Sequence, residues 1–209
     1  ERVKVPMLTV ITQHPRELIL GTLAGTGEFV LFYLTTVFTL SWATTSLGYS
    51  RPDFLVLQLV SVIFFAGFIP VSAVLSDRRN RASAMIIGSV GIILFGLVLG
   101  PMLQAGSTTT VIALSVGMAL MGTCFGSFGT LMSDLFPAEV RYTGSSLAFN
   151  LAGILGASFA PYIATRLATD YGLQFVGYYL SGMALMSLLA LLKIRSLLAA
   201  KHSEKFLNR

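Results

Sequence analysis

The 209 residues are 55% hydrophobic and only 11% charged, less than half the roughly 25% charged content of an average soluble domain, which excludes a chain whose surface lies mainly in water. The net charge of +5 is scattered over short connections and a tail instead of one basic face interleaved with aromatics, so nucleic acid is not an expected partner. Cys124 is the single cysteine and lies in an apolar run, while His14 and His202 lie outside such runs; this leaves no disulfide, histidine metal site, cofactor motif or Ser/His pair for hydrolysis in a membrane.

Hydrocarbon about 30 Å thick requires roughly 20 apolar residues per crossing helix. Six runs meet that length: Leu18–Trp42, Phe54–Leu75, Ala82–Leu103, Val111–Met132, Thr143–Thr165 and Leu173–Leu192. The expected organisation is a cytoplasmic linker over 1–17, without a signal-peptide pattern, a six-helix body over 18–192 and a cytoplasmic tail over 193–209. No run of connecting residues is long enough for an inserted soluble domain.

In the first run Glu28 is the one acidic or basic residue well inside any span. A charged group at such depth costs about 2.5–3.5 kcal/mol on insertion scales, and it normally faces a cavity or a partner. At steps of three and four it shares a helical face with Gly21, Gly25, Phe32, Thr35, Thr39 and Trp42. Aromatic rings can wall an organic solute while hydroxyls orient it; the alternative for Glu28 is a structural hydrogen bond or ion pair with a neighbouring helix. The second run carries Gln58 near its outer end, placed to reach the interface, and Pro70, which predicts a kink. It ends in Leu75-Ser76-Asp77-Arg78-Arg79-Asn80-Arg81, an acidic residue followed at once by basic ones.

Small residues at four-residue spacing predict close helix contacts: Gly21 and Gly25, Gly96 and Gly100 in the third run, Gly122 and Gly126 in the fourth, and Gly144, Ala148, Ala152, Gly156 and Ala160 in the fifth. Thr123, Ser127 and Thr130 in the fourth run either line a cavity or satisfy their own helix carbonyls. Between the fourth and fifth runs stands Asp134-Leu135-Phe136-Pro137-Ala138-Glu139-Val140-Arg141-Tyr142-Thr143-Gly144; Pro137 suits a helix start and the carboxylates favour its positive end. Asn150 in the fifth run shares a face with Ser146 and Gly153, its amide needs partners within the membrane, and Pro161 predicts a second kink.

Alternating the connections puts Arg2, Lys4, Arg16, Arg78, Arg79, Arg81, Arg141, Lys193, Arg195, Lys201, Lys205 and Arg209 on one side and Arg51 and Arg166 on the other, 12 against 2 of the 14 basic residues. The positive-inside rule assigns the first group, with both ends of the chain, to the cytoplasm.

The loop after the second run resembles the signature Gly-x-Leu-x-Asp-Arg-x-Gly-Arg-Arg of the major facilitator superfamily, with Ala73 and Asn80 where that pattern has glycine and with Asp77 and Arg78 matching. Asp134 to Arg141, followed by Tyr142-Thr143-Gly144, resembles the acidic-x-Phe-Pro…Arg-Tyr-(Ser/Thr)-Gly segment of its metabolite:proton symporters. Phe32-Tyr33-Leu34-Thr35-Thr36-Val37-Phe38, Ser146-Leu147-Ala148-Phe149-Asn150 and Ala160-Pro161-Tyr162-Ile163-Ala164 are similar to the seventh and eleventh helices of that family.

The resemblance implies an all-α membrane protein whose six transmembrane helices form one half of a major facilitator fold, partnered by a missing N-terminal six-helix half in a bacterial inner membrane. It implies proton symport of a small organic acid or zwitterion by alternating access. Glu28, Phe32, Thr35, Thr39 and Asn150 are the expected substrate and proton pathway, and Asp77, Arg78, Asp134 and Arg141 the expected cytoplasmic gate. The lack of an initiator Met fits a segment of a longer protein. The competing expectation is a self-contained six-helix channel or membrane scaffold joined through its glycine seams. Orientation has a substrate-free test: cysteines introduced at Asn80 and Ala138 react with an impermeant thiol reagent only from the cytoplasmic side, and those at Ser50 and Ser107 only from outside. Reversed labelling overturns the charge-based topology.

Overall fold

Each of the six apolar runs folds as a helix, because lipid offers no partner for backbone N–H and C=O groups and a helix pairs them within the segment. A computed structural model describes residues 6–78 and 82–207, with the backbone alone over 201–207. Arg2, Lys4, Arg79, Asn80, Arg81 and Arg209 lie outside the described residues, as do the side chains of Lys201 and Lys205. The spans are Pro15–Ser46, Arg51–Arg78, Ser83–Gln104, Ser107–Leu135, Arg141–Asp170 and Leu173–Ala200. They reach past most of the expected bounds because polar residues flanking an apolar run continue its helix toward the interface.

In chain order the α-helices are α1 (Pro6–Gln13), α2 (Pro15–Tyr33), α3 (Thr39–Ser46), α4 (Arg51–Arg78), α5 (Ser83–Gln104), α6 (Ser107–Leu135), α7 (Arg141–Gly153), α8 (Ala160–Asp170) and α9 (Leu173–Leu207). The first span is α2 and α3 joined by a π-helical segment, Leu34–Phe38, and the fifth is α7 and α8 joined by another, Ile154–Ser158. Two expectations need refinement. The residues before the first span include the short helix α1, and the tail begins as a direct continuation of the sixth span in α9. Pro70 lies within an unbroken α4, whereas Pro161 starts α8 immediately after the π-helical break. The turns at Gly48, Gly106 and Gly172 have φ of 76°, 112° and 99°, a left-handed conformation that glycine adopts without steric cost.

The first span is the centre of the bundle, with 67% of its most apolar stretch buried, against 11% for the second. Leu31, Leu34, Phe95, Leu99 and Leu180 form one core cluster, and Phe128, Leu131, Met132, Leu135 and Ile194 form another. The second span packs along the fourth, where a Cβ on Gly126 would stand 2.6 Å from the Ile69 carbonyl oxygen. The third and sixth spans meet through Gly96 and Gly177, where a Cβ on Gly177 would overlap the Gly96 carbonyl. The Gly96/Gly100 and Gly122/Gly126 seams therefore act as backbone contacts, as the spacing predicts, whereas Gly21, Gly25 and Gly144 admit the side chains of Met132, Phe128 and Phe136.

The sixth span also supplies polar ties. Ser181 Oγ donates to Ile93 O at 2.8 Å, and Gln174 Nε2 donates to Leu97 O at 2.8 Å. The second tie has a specific cause: Pro101 lies inside α5 and has no N–H to give the carbonyl four residues before it, which is that of Leu97. Replacing Gln174 with Leu is expected to cost about 1–3 kcal/mol by stranding that carbonyl. In a Pro101→Ala background the Ala N–H restores the helical bond, so most of the cost disappears; thermal unfolding of the four proteins in detergent measures the cycle, and equal costs in both backgrounds would refute the assignment.

Candidate functional site: a recess between two helical breaks

In the first span the Thr39 N–H reaches back five residues to Leu34 O, one residue further than in an α-helix. Such one-residue expansions disturb the regular ladder and occur frequently at functional sites. The extra turn frees carbonyls, and Gln58 of the second span meets them: its Nε2 donates to Thr35 O at 3.1 Å and to Thr36 O at 2.7 Å. Gln58 thus turns inward to a backbone break instead of reaching the interface. Thr35 and Thr39, both buried, donate their hydroxyls to Leu31 O and Thr35 O, each at 2.8 Å.

The second break, Ile154–Ser158, is pressed against the first span. A Cβ on Gly156 would stand 2.7 Å from both Thr26 O and Phe29 Cβ, so glycine is what permits this approach. Beside it opens a recess of about 350 Å³ walled by Phe29, Phe32, Tyr33, Phe149, Asn150, Gly153, Ile154, Ala157 and Ser158. The Phe29 and Phe149 rings meet edge to face with centroids 5.1 Å apart. Asn150 is exposed on the wall, its Nδ2 donating to Ser146 O at 2.8 Å. A second recess, of about 370 Å³, adjoins at Phe149 and is lined by Phe128, Gly129, Met132, Ser133, Tyr142, Ser145 and Ser146.

The structure brings Phe32 and Asn150 of the expected pathway to one wall, whereas Thr35 and Thr39 are buried and do not line it. Glu28 is not on that wall. It is 4% exposed, and both its carboxylate oxygens are buried without a hydrogen-bond partner among the described residues. One residue before it, Ser187 of the sixth span enters the first helix's ladder: its Oγ accepts from Gly27 N at 2.9 Å and donates to Leu23 O at 2.7 Å. The Ser187 hydroxyl thereby ties the sixth span to the turn that carries Glu28, within the continuous helix α2. Of the expected gate, Asp77, Arg78 and Arg141 are exposed and Asp134 is half-buried; among the described residues no ion pair joins the first three. The fourth-span hydroxyls of Thr123, Ser127 and Thr130 donate to Ala119 O, Cys124 O and Ser127 O of their own helix.

A family model described as Major Facilitator Superfamily matches residues 2–161. The chain belongs to the major facilitator superfamily. It is a multi-pass membrane protein with the six-helix architecture of half that fold. The inner membrane metabolite transport protein YhjE of Escherichia coli (strain K12) is 43% identical over 198 residues, covering 92% of this chain and 45% of that protein. A citrate-proton symporter of Klebsiella pneumoniae is 32% identical over 163 residues, 76% of this chain and 36% of that protein. A shikimate transporter of Escherichia coli (strain K12) is 26% identical over 196 residues, 90% of this chain and 44% of that protein. The chain spans a little under half the length of the two Escherichia coli relatives.

Sequence reasoning missed Gln58 and Ser187 as backbone partners in this superfamily member, and it missed both π-helical breaks. Polar side chains in otherwise apolar runs were the available signal, but their targets lie on other helices. Gln58→Leu is expected to lower stability by about 1–3 kcal/mol, since Thr36 O loses the amide donor and Thr35 O keeps only the Thr39 hydroxyl. Thermal unfolding in detergent checks this, with Gln104→Leu in the outer turn as a control of unchanged stability.

Proposed function

We propose that this chain is one half of a secondary active transporter of the major facilitator superfamily, moving a small organic acid or zwitterion with protons by alternating access against a second six-helix half. The observation that carries the reading is the recess set between the two π-helical breaks. It offers four rings for contact with an organic solute and an amide to orient it, and helix breaks supply the backbone irregularity on which transporter sites are typically built. The names of the relatives, a citrate-proton symporter among them, support small-metabolite cargo and proton coupling.

Glu28 is the proton-exchanging group in this proposal. A buried carboxyl without a fixed partner has two protonation states of very different cost at this depth, so it responds to any change in its surroundings. Phe29 is next to it in sequence and lines the recess, so one helical turn carries both the acid and a solute contact. Asp77, Arg78, Asp134 and Arg141 are proposed as the cytoplasmic gate, whose partners change as the two halves rock.

The test is uptake by the full-length transporter in membrane vesicles, with and without an imposed pH gradient, using radiolabelled organic acids and zwitterions. Glu28→Gln matches the shape of the protonated acid and is expected to insert normally, to lose gradient-driven accumulation at least about tenfold and to retain solute exchange. Arg141→Gln is expected to impair net uptake with normal membrane insertion. If Glu28→Gln accumulates solute with the parent's gradient dependence, the residue is structural; if no solute is taken up by the parent under either condition, the transporter reading fails.

A further inference from the structure

We propose that the recess between the π-helical breaks receives a cationic ammonium group of the solute, and that any carboxylate on the same solute points away from this wall. The inference rests on the recess being a solute-binding wall, as proposed above, and adds the charge that the wall selects.

Formal charge comes first. None of the nine lining residues, Phe29, Phe32, Tyr33, Phe149, Asn150, Gly153, Ile154, Ala157 and Ser158, is Lys, Arg or His. A carboxylate entering here would lose water and meet no cation, which is costly. The Asn150 amide presents one N–H to the Ser146 carbonyl, 2.8 Å away; a carbonyl can only accept, so the orientation of the amide is determined, and Oδ1 is left to accept from a ligand beside the second N–H.

The faces of the phenylalanine and tyrosine rings carry the negative part of the aromatic quadrupole and attract ammonium groups when water is excluded. Phe32 and Phe149, 40% and 37% exposed, are the rings most open to a ligand at the mid-span wall. The hydroxyls of Tyr33 and Ser158 turn either way and do not discriminate. An amide acceptor and ring faces without a cation suit an organic ammonium, and the lining has no carboxylate that would instead favour a compact, strongly hydrated metal cation.

The experiment compares glycine betaine with tert-butylacetate, its carbon isostere, which has the same shape and carboxylate but no positive charge. Citrate serves as a further acid without nitrogen. Binding to the purified full-length transporter in detergent is measured by calorimetry for the parent, Phe32→Leu, Phe149→Leu and the ring-retaining Phe32→Tyr. The parent is expected to bind glycine betaine at least about tenfold more tightly than tert-butylacetate. Phe32→Leu and Phe149→Leu should each remove most of that preference, and Phe32→Tyr should keep it; monodisperse elution of every variant confirms that each is folded.

Equal binding of the two isosteres, binding of citrate alone, or binding of none of the probes overturns the proposal. If an acid binds and Phe32→Leu abolishes that binding, the ammonium assignment falls while the recess stands as a solute wall. If glycine betaine binds with its preference unchanged in both leucine variants, the recess itself is not the site.

Discussion

Hydrocarbon cannot hydrogen-bond a peptide group, so each backbone N–H or C=O released from a membrane helix must find a donor or acceptor inside the protein. At three points in this chain a side chain from another span meets such backbone groups. Gln58 serves the π-helical turn of the first span, Gln174 serves the carbonyl freed by Pro101, and Ser187 bridges Leu23 and Gly27. These ties also fix which spans can be neighbours. A glutamine that must reach a particular carbonyl holds two helices in one register, which dispersion contacts between leucines do not enforce.

The sixth span acts as a brace under this constraint. Gln174 and Ser181 hold the third span and Ser187 the first, while Gly177 lets the third span's backbone come close. The second span is different: it leans on the fourth and leaves apolar side chains such as Leu59 and Ile63 about 70% exposed, at 68% and 70%. Its inward tie is Gln58. The second span thus meets the first at a π-helical turn, and the turn adjoins Phe32 and Tyr33 of the recess.

The first span accordingly presents two chemistries on two sides. Glu28 is enclosed in the bundle, and Phe29 and Phe32 open on the recess. In the proposed function, a change of charge on Glu28 would alter the cost of burying that turn, and a solute against Phe29 would meet the same backbone from the other side. The charged residues Asp77, Arg78 and Arg141 are arranged otherwise: they stand exposed, with no ion pair joining them among the described residues.

The sequence alone determined the six spans, the small-residue seams and the resemblance to the major facilitator superfamily, because all three follow from local composition and spacing. Apolar length sets a crossing helix, a missing side chain sets a close approach, and Asp77-Arg78 and Asp134…Arg141 are contiguous in the chain. Helical periodicity also placed Glu28, Phe32, Thr35 and Thr39 on one stripe, but a stripe wider than one neighbour is divided among several helices when the bundle packs. Tertiary structure decided that Phe32 meets Asn150 on a recess while Thr35 and Thr39 turn their hydroxyls to their own backbone and Glu28 is enclosed. It also decided the two π-helical turns and their partners. Whether a turn can expand depends on a donor arriving from another span, as Gln58 does, or on a glycine such as Gly156 admitting another backbone, and no local pattern encodes which distant residue will be there.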